Sequence, residues 1–360
     1  MKVIGFEREP ELLERFLGLE EALYREDPVW SQLPRRDVRP LLAVEAPFFR
    51  QGGRHRCFLA EGPGGDVGRA AAMVSPRLVD EQGRPLGLIG LWECADQPRA
   101  ALALLEAALA WLRAQRVERA LGPLDFSTWY RYRFMTGGRE NGSPFLLEPW
   151  HHPWYPEQWR AAGFVPYREY ASLRIPHTPV KLLERAHARA CAAGVRFEPL
   201  EGADPAERLR LLYDLSRRIF AGKTAYAEIG WEEFQGLYKG SDALLVPGLS
   251  WLAFDASGQA AGFLFAYPDL LEPLRKRDPG ARVETTVLKT IAADESVPGL
   301  GWALCHLHIE HARKQGMSAG IYALMEKWEE LLRFARHRDR MLGGETGQVW
   351  RRYTLFQRAV

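Results

Sequence analysis

The sequence predicts an α+β protein built from two copies of one structural unit. In each half, two apolar runs flank a polar turn, at residues 62–66 and again at residues 255–258. This pattern is typical of a β-hairpin. Phe58 in the hairpin of the first half corresponds to Trp251 in the hairpin of the second, and the two residues are 193 apart in a chain of 360. A repeat at half the chain length indicates a tandem duplication.

Apolar periodicity predicts the other elements of the first half. Pro98 stands near the start of a strong helical pattern, where its missing N–H costs nothing. Gly163 ends a later helical pattern. The predicted strands cover residues 2–6, 57–61, 67–74, 87–93, 119–122 and 168–175, and the predicted helices cover 9–24, 98–115 and 155–162.

The second half repeats this order. Asp204 is a good N-cap, and Pro205 follows it in the first turn of a helix. The predicted strands cover residues 195–199, 283–291, 318–324 and 349–356, and the predicted helices cover 181–193, 204–220, 302–315 and 327–336. A proline-bounded linker near residues 176–179 separates the copies, so we predict domains at 1–177 and 178–360.

A glycine loop marks the second copy. The strand that ends near Ile291 runs through a short acidic turn into Pro298-Gly299-Leu300-Gly301, and a helix follows at once. Glycines let the backbone approach a ligand closely, and the helix directs unpaired N–H groups at the loop. Such a loop is suited to bind phosphate or pyrophosphate. The alternative is an ordinary strand-to-helix turn with two conformational glycines.

A hairpin, a third strand, a glycine loop and a helix, in this order, resemble the core of the GNAT (N-acetyltransferase) superfamily. Ser296-Val-Pro-Gly299-Leu-Gly301 fits its acyl-CoA loop, except that Ser296 replaces a Gln or Arg. The resemblance implies two GNAT-like domains, each with a mixed, mostly antiparallel sheet flanked by helices. It also implies acetyl-CoA or another acyl-CoA as co-substrate. The implied cofactor-binding residues are Ile291, Ala292, Gly299, Leu300, Gly301, Trp302 and Ala303.

The resemblance also suggests catalytic residues. Glu284 stands near the start of the strand before the loop, where a family base often lies, although a surface carboxylate is the alternative. The usual acid is a Tyr on the helix after the next strand, and Phe334 occupies about that place. Tyr322, on the preceding strand, is the nearest substitute.

The first copy has no glycine loop, because Glu93-Cys-Ala-Asp-Gln-Pro98 occupies the equivalent place. An acidic turn repels a pyrophosphate, so we predict that this copy is degenerate and either supports the fold or supplies substrate contacts. Its late segment is rich in aromatic residues and His, whose apolar bodies and polar tips suit a pocket for an acceptor. The alternative for this segment is an aromatic packing loop. The predicted substrate-binding residues are Trp129, Tyr130, His152, Trp154 and Tyr155.

Composition narrows the function. A net charge of +2 favours neither nucleic acid nor an anionic membrane as partner, and no apolar run is long enough to span a bilayer. Four scattered cysteines without a CxxC pair indicate reduced thiols in a cytoplasm, and no metal site is expected. Abundant Arg, Ala, Pro, Leu and Gly indicate a GC-rich bacterial genome.

These observations lead to one predicted function and one rival. The first is acyl-CoA-dependent N-acyl transfer, most simply acetyl transfer to an amine of a small molecule or peptide. The rival is a non-catalytic ligand-binding or scaffold protein that kept the fold. The intact second loop favours the enzyme, whereas the missing Tyr and the Ser296 substitution favour the rival.

Overall fold

The computed structural model describes residues 1–34, 37–80, 82–202, 204–221, 226–326, 328–342 and 347–360, and within them the strands form one sheet with helices on both faces. The strands are β1 (Lys2–Phe6), β2 (Arg54–Gly62), β3 (Gly65–Val79), β4 (Pro85–Cys94), β5 (Arg119–Gly122), β6 (Phe134–Gly137), β7 (Val165–Pro176), β8 (Arg196–Pro199), β9 (Trp251–Phe254), β10 (Ala260–Pro268), β11 (Thr285–Ala293), β12 (Ala319–Met325) and β13 (Gln348–Ala359).

Helices flank this sheet along its whole width. They are α1 (Pro10–Tyr24), α2 (Arg39–Leu42), α3 (Pro47–Arg50), α4 (Pro98–Ala114), α5 (Tyr155–Ala161), α6 (Lys181–Ala192), α7 (Pro205–Phe220), α8 (Trp231–Tyr238), α9 (Glu272–Lys276), α10 (Leu300–Lys314) and α11 (Trp328–Leu342). Most predicted elements are present within a few residues. The helix predicted at 327–336 begins at Trp328, and Lys327 lies outside the described residues.

The two halves have the same strand order, β2-β3-β4-β5 in the first and β9-β10-β11-β12 in the second. In each half the last two of these strands are parallel and are connected by a helix, α4 or α10, while the other pairs are antiparallel. The predicted α+β class, with two copies of a mixed and mostly antiparallel sheet, is confirmed.

The halves exchange their final strands. β7, which ends the first half, pairs with β12 of the second, and β13, which ends the chain, lies between β5 and β7. The sheet is therefore continuous across the two copies, and each copy is completed by a strand of the other. The predicted boundary at 177/178 falls between β7 and α6 and stays a prediction.

Both faces of the sheet are apolar, which is why helices cover both. α4 packs on the first half through Leu104, Leu105 and Leu109, and α10 packs on the second through Leu300 and Leu304. Sequence reasoning missed five short elements: β6, α2 and α3, of four residues each, α8, of eight, and α9, of five. Elements this short do not complete the periodic pattern on which prediction depends.

Candidate active site

The parallel strands β11 and β12 separate partway along their length. They pair from Thr285 and Ala319 as far as Leu288 and Tyr322. β11 then continues to Ala293 beside β10 alone, with Lys289 as a bulge residue. A V-shaped opening, here called the second splay, results. Among the residues that the structure describes, no side chain hydrogen-bonds to the backbone of residues 289–293.

The predicted cofactor residues gather at this opening. Gly299 has φ +80 and is the N-cap of α10, a conformation that glycine adopts without strain. A Cβ added at Gly301 would lie 3.7 Å from Cδ1 of Ile291, so the start of α10 lies close against β11. Ile291 faces α10, whereas Ala292 packs on the other face, toward α7.

The remaining cofactor residues form the first turn of α10. Leu300 and Ala303 are buried, while Trp302 is 39% exposed. The Trp302 ring contacts Phe334 of α11, with centroids 5.5 Å apart. Phe334, which occupies the place expected for a catalytic Tyr, therefore packs against the exposed ring of Trp302.

The two predicted catalytic residues lie in different places. Tyr322 is 6% exposed and stands at the apex of the second splay, where β11 and β12 last pair. Glu284 precedes β11, is exposed, and binds Lys276 Nζ at 3.0 Å, which lowers the pKa of the carboxyl. It is seven residues from Ile291, roughly 23 Å along an extended strand. The structure thus brings Tyr322 to the splay but not Glu284.

Lys289 is a residue of this site that sequence reasoning missed. Its half-buried ammonium lies 3.5 Å from the Leu147 carbonyl oxygen and 5.9 Å from the centroid of the Phe145 ring. Burial, followed by the charge of Arg133, lowers the pKa of Lys289 to about 8. A lysine between the apolar residues Leu288 and Ile291 of a predicted strand is the signal that could have identified it.

The equivalent opening in the first half, the first splay, is filled by the protein itself. β4 and β5 pair only as far as Leu88 and Leu121. Beyond that point Asp125 accepts a hydrogen bond from the Leu91 N–H at 2.6 Å, and Tyr155 Oη accepts one from the Cys94 N–H at 3.1 Å. Side chains of this half therefore bind backbone groups whose equivalents in the second splay have no side-chain partner among the described residues.

α5 and the residue before it fill the rest of the first splay. Trp154 Nε1 donates to the Cys94 carbonyl at 2.9 Å, and Gln158 Nε2 donates to the Ala95 carbonyl at 2.7 Å. Tyr155 Oη also donates to Glu93 at 2.7 Å. Burial raises the pKa of Glu93 to about 7.

Three of the predicted acceptor residues consequently lie inside the first half. Tyr155 is fully buried, and His152 is stacked between Tyr24 and Trp154 with centroids 4.2 Å away on each side. The alternative interpretation, an aromatic packing loop, therefore fits three of these residues, His152, Trp154 and Tyr155. Their apolar surface is used to close the first splay rather than to line a pocket shared with the second.

Trp129 and Tyr130 lie instead between the halves. Trp129 Nε1 donates to the Ala227 carbonyl at 2.9 Å, and its ring contacts Phe234 of α8. Tyr130 Oη donates to Glu233 at 2.5 Å. Both line a pocket whose walls come from both copies. The structure therefore brings two of the five predicted acceptor residues to an interface between the halves.

None of the helices described is long and apolar enough to cross a membrane. His308 of α10 is buried and bonded to the Leu249 carbonyl and to Thr286. Among the residues described, His, Cys, Asp and Glu form no group of three that could hold a metal ion.

Comparison with known proteins gives distant sequence relatives. No family model matches the sequence. A bacterial ceramide synthase from Caulobacter vibrioides is 24% identical over 270 residues, which cover 74% of this chain and 69% of that protein.

Solved structures agree with the topology. A GCN5-related N-acetyltransferase from Anabaena variabilis superposes with a TM-score of 0.56 at 11% identity, over 99% of this chain and 72% of that one. A probable N-acyltransferase from Enterococcus faecalis superposes with a TM-score of 0.54 at 12% identity, over 100% of this chain and 72% of that one. Together with the repeated strand order, these matches show that the chain has the GNAT fold in two tandem copies.

Proposed function

We propose that the protein is an acyl-CoA-dependent N-acyltransferase whose second half binds the acyl-CoA. The observation that carries this proposal is the open second splay, which leads directly to the Gly299–Gly301 turn at the start of α10. A gap between parallel strands leaves backbone N–H groups available to a ligand. The N-terminus of α10 adds an anion site at the end of that gap. In the described part of the first half, side chains fill the gap between the parallel strands, and Gln97 instead of a glycine caps α4.

Each part of the second splay has a separate task in this proposal. The N–H groups at the start of α10 bind the pyrophosphate, since no side chain competes for them and Gly299 brings the backbone close. Ile291 and Ala292 flank the pantetheine arm. A backbone N–H of the bulged segment donates to the thioester carbonyl, which stabilises the negative charge that develops on its oxygen.

Tyr322 is placed to complete the reaction. The acceptor amine attacks the carbonyl carbon, a C–N bond forms, and the C–S bond breaks. Tyr322 Oη gives its proton to the departing sulfur, and the proton lost by the amine returns to solvent. The position of Tyr322 at the apex of the splay, on the face that packs against α10, supports this role.

The acyl group and the acceptor are the finer parts of the proposal. Acetyl is the simplest donor, and an amine of a small molecule or peptide is the acceptor. The sequence relative named as a ceramide synthase gives reason to test a longer acyl chain as well. A cytoplasmic location is proposed from the four free cysteines, three of them buried.

Calorimetric titration with acetyl-CoA, octanoyl-CoA and palmitoyl-CoA tests the proposal, followed by thiol release in the presence of amines. We expect one donor to bind and to release CoA only when an amine is present. Binding without release under any amine would favour the rival, a ligand-binding protein. No binding of any acyl-CoA would contradict the assignment of the second splay.

A further inference from the structure

Arg133 is a buried cation that has no counter-ion among the described residues. The residue is 7% exposed, and its guanidinium lies between the rings of Tyr132 and Tyr170, 3.9 and 4.2 Å from their centroids. Nη1 donates to the Leu324 carbonyl at 3.3 Å, and Nε has no hydrogen-bond acceptor. In the described part of the chain, no carboxylate lies within 4.0 Å of it. The two rings and the carbonyl repay part of the hydration that the guanidinium loses, but they leave its charge unbalanced.

The contrast with Arg131, two residues earlier, shows that carboxylates are available nearby. Arg131 lies 3.3 Å from Glu93, 3.6 Å from Glu20 and 3.6 Å from Asp125. The acidic groups of this region therefore neutralise Arg131 and leave Arg133 with an excess positive charge.

Lys289 is a second cation of the same kind. Its ammonium is half-buried, and among the described residues no carboxylate is within ion-pair distance of it. Glu148, which follows the Leu147 carbonyl contacted by Lys289, is already bound by Arg351 and Tyr353. Leu324, whose carbonyl accepts from Arg133, packs in the same apolar cluster as Phe145, whose ring lies under Lys289, so the two cations lie on the same face of the sheet.

The surroundings of Arg133 are those of a ligand site. Arg133 and Trp92 line the same pocket, and among the described residues the buried Nε1 of Trp92 also lacks an acceptor. Arg133 has φ +65, and Leu324, whose carbonyl it binds, has φ +59. Strained backbone of this kind lowers stability and is often found at functional sites.

Lys289 and Arg133 lie on one face of the sheet, and that face indicates which of the two substrates would contact them. Leu288 and Ile291 pack toward α10, the side of the glycine loop, while Val287 packs on the opposite face with Phe145, the ring that lies beneath Lys289. An anion beside Lys289 and Arg133 is thus across the sheet from the proposed pyrophosphate site. It belongs to the acceptor and not to the CoA.

We propose that Arg133, assisted by Lys289, binds an anionic group carried by the amine acceptor, either a carboxylate or a phosphate. This inference rests on the proposed function. A guanidinium binds both groups through paired N–H donors, and Nε is free to be one of them. The substrate class is then an amino acid or a phosphorylated amine, rather than a plain amine.

Acceptors of matched length test the inference. Acyl transfer is measured with n-butylamine, 4-aminobutanoate and 3-aminopropyl phosphate. We expect the wild type to prefer one anionic acceptor by about 10-fold to 100-fold in kcat/KM, the range for a charge-assisted hydrogen bond. The preferred acceptor identifies the anion. Arg133→Met should abolish the preference without changing acyl-CoA binding.

Arg352→Met is the matched control, because Arg352 also lies over an aromatic ring, Trp328 at 4.9 Å, but is exposed. It should keep the preference. An equal rate with all three acceptors in the wild type, or a preference that survives Arg133→Met, would overturn the inference.

A second measurement does not depend on activity. Thermal unfolding of the full chain is followed in inorganic phosphate, acetate or chloride at equal ionic strength. Phosphate or acetate should stabilise the wild type but not Arg133→Met. In chloride the variant should be at least as stable as the wild type, since an unpaired buried charge is removed.

The outcomes separate the two proposals. Anion-dependent stabilisation that is lost in Arg133→Met, together with no acyl transfer to any amine, would retain the site and contradict the proposed function. A strongly destabilised Arg133→Met, with equal loss of transfer to every acceptor, would mean that Arg133 only holds Leu324 in place and would overturn the site.

Discussion

The two halves of this protein have one topology and two different splays. In the first half, Asp125 and Tyr155 bind the backbone of β4, and α5 covers the turn that follows. In the second half, the described residues contribute no such side chains to β11, and a glycine turn begins α10. A duplicated fold can therefore be preserved by its core while a few polar side chains decide which copy receives a ligand.

The first splay also shows what closing such an opening requires. Backbone groups freed by diverging strands need new partners when they are buried. The first half supplies them from its own aromatic and acidic residues, including the buried Glu93. The second half leaves this task to a bound molecule in our proposal. Substitutions in the two halves should accordingly affect different properties.

The largest difference is expected at the two helix N-caps. Gly299 caps α10 and Gln97 caps α4. Gly299→Glu should abolish acyl-CoA binding, because a side chain is strained at φ +80 and the carboxylate repels the pyrophosphate. Gln97→Glu should leave binding intact. The measurement is the rise in unfolding temperature on adding acyl-CoA, which corresponds to about 2.7 kcal/mol at a hundred times Kd. Undiminished binding in Gly299→Glu would place the site elsewhere.

A pair of tyrosine substitutions sharpens the comparison. Tyr322→Phe should lower kcat about 100-fold, the lower range for a lost general acid, with acyl-CoA binding unchanged. Tyr155→Phe should leave kcat unchanged and lower the free energy of unfolding by about 1–3 kcal/mol, since Glu93 and the Cys94 N–H lose a buried partner. Steady-state kinetics and urea unfolding of both variants test this. Full activity in Tyr322→Phe would mean that water protonates the thiolate.

The buried Glu93 predicts a pH dependence confined to the first half. Its folded-state pKa of about 7 is above the unfolded value, so the folded state binds the extra proton between those two values. Stability due to this group is therefore lost as the pH rises toward 7, by on the order of 2 kcal/mol between pH 5 and 7. Glu93→Gln removes that loss.

The measurement is urea unfolding of the wild type and Glu93→Gln at pH 5 and pH 7. The comparison isolates Glu93, because His151, whose burial lowers its pKa to about 3, contributes a trend of opposite sign in both proteins. Parallel pH profiles for the two proteins would show that Glu93 is ionised throughout.

The smallest effect is expected at Glu284. The carboxylate is exposed, paired with Lys276 and roughly 23 Å along the strand from Ile291. Glu284→Gln should change kcat by less than about twofold, far from the hundredfold expected of a general base. Steady-state kinetics with the preferred acceptor decides it. A loss of a hundredfold would restore Glu284 as the base, acting from a conformation that differs from this one.

Local patterns were sufficient for much of this protein. Apolar periodicity predicted most of the strands and helices, and the hairpin turn at 255–258 is formed as expected, with Asp255 accepting the Ser257 and Gln259 N–H groups. The glycine turn at Gly299 was also visible, because it depends on residues close together in the chain. The duplication was visible because one local pattern occurs twice, 193 residues apart. The chemistry of a turn is set by its own residues.

Only the tertiary structure decided which side chains meet. Asp125 binds Leu91 from 34 residues away, Tyr155 binds Cys94 from 61, and Arg133 binds Leu324 from 191. The exchange of β7 and β13 is likewise a pairing between distant segments. A sequence states which residues are present, but only folding decides whether a polar group that becomes buried also finds a partner. Tyr155 finds partners and closes a splay, whereas Arg133 has no counter-ion in the described part of the chain.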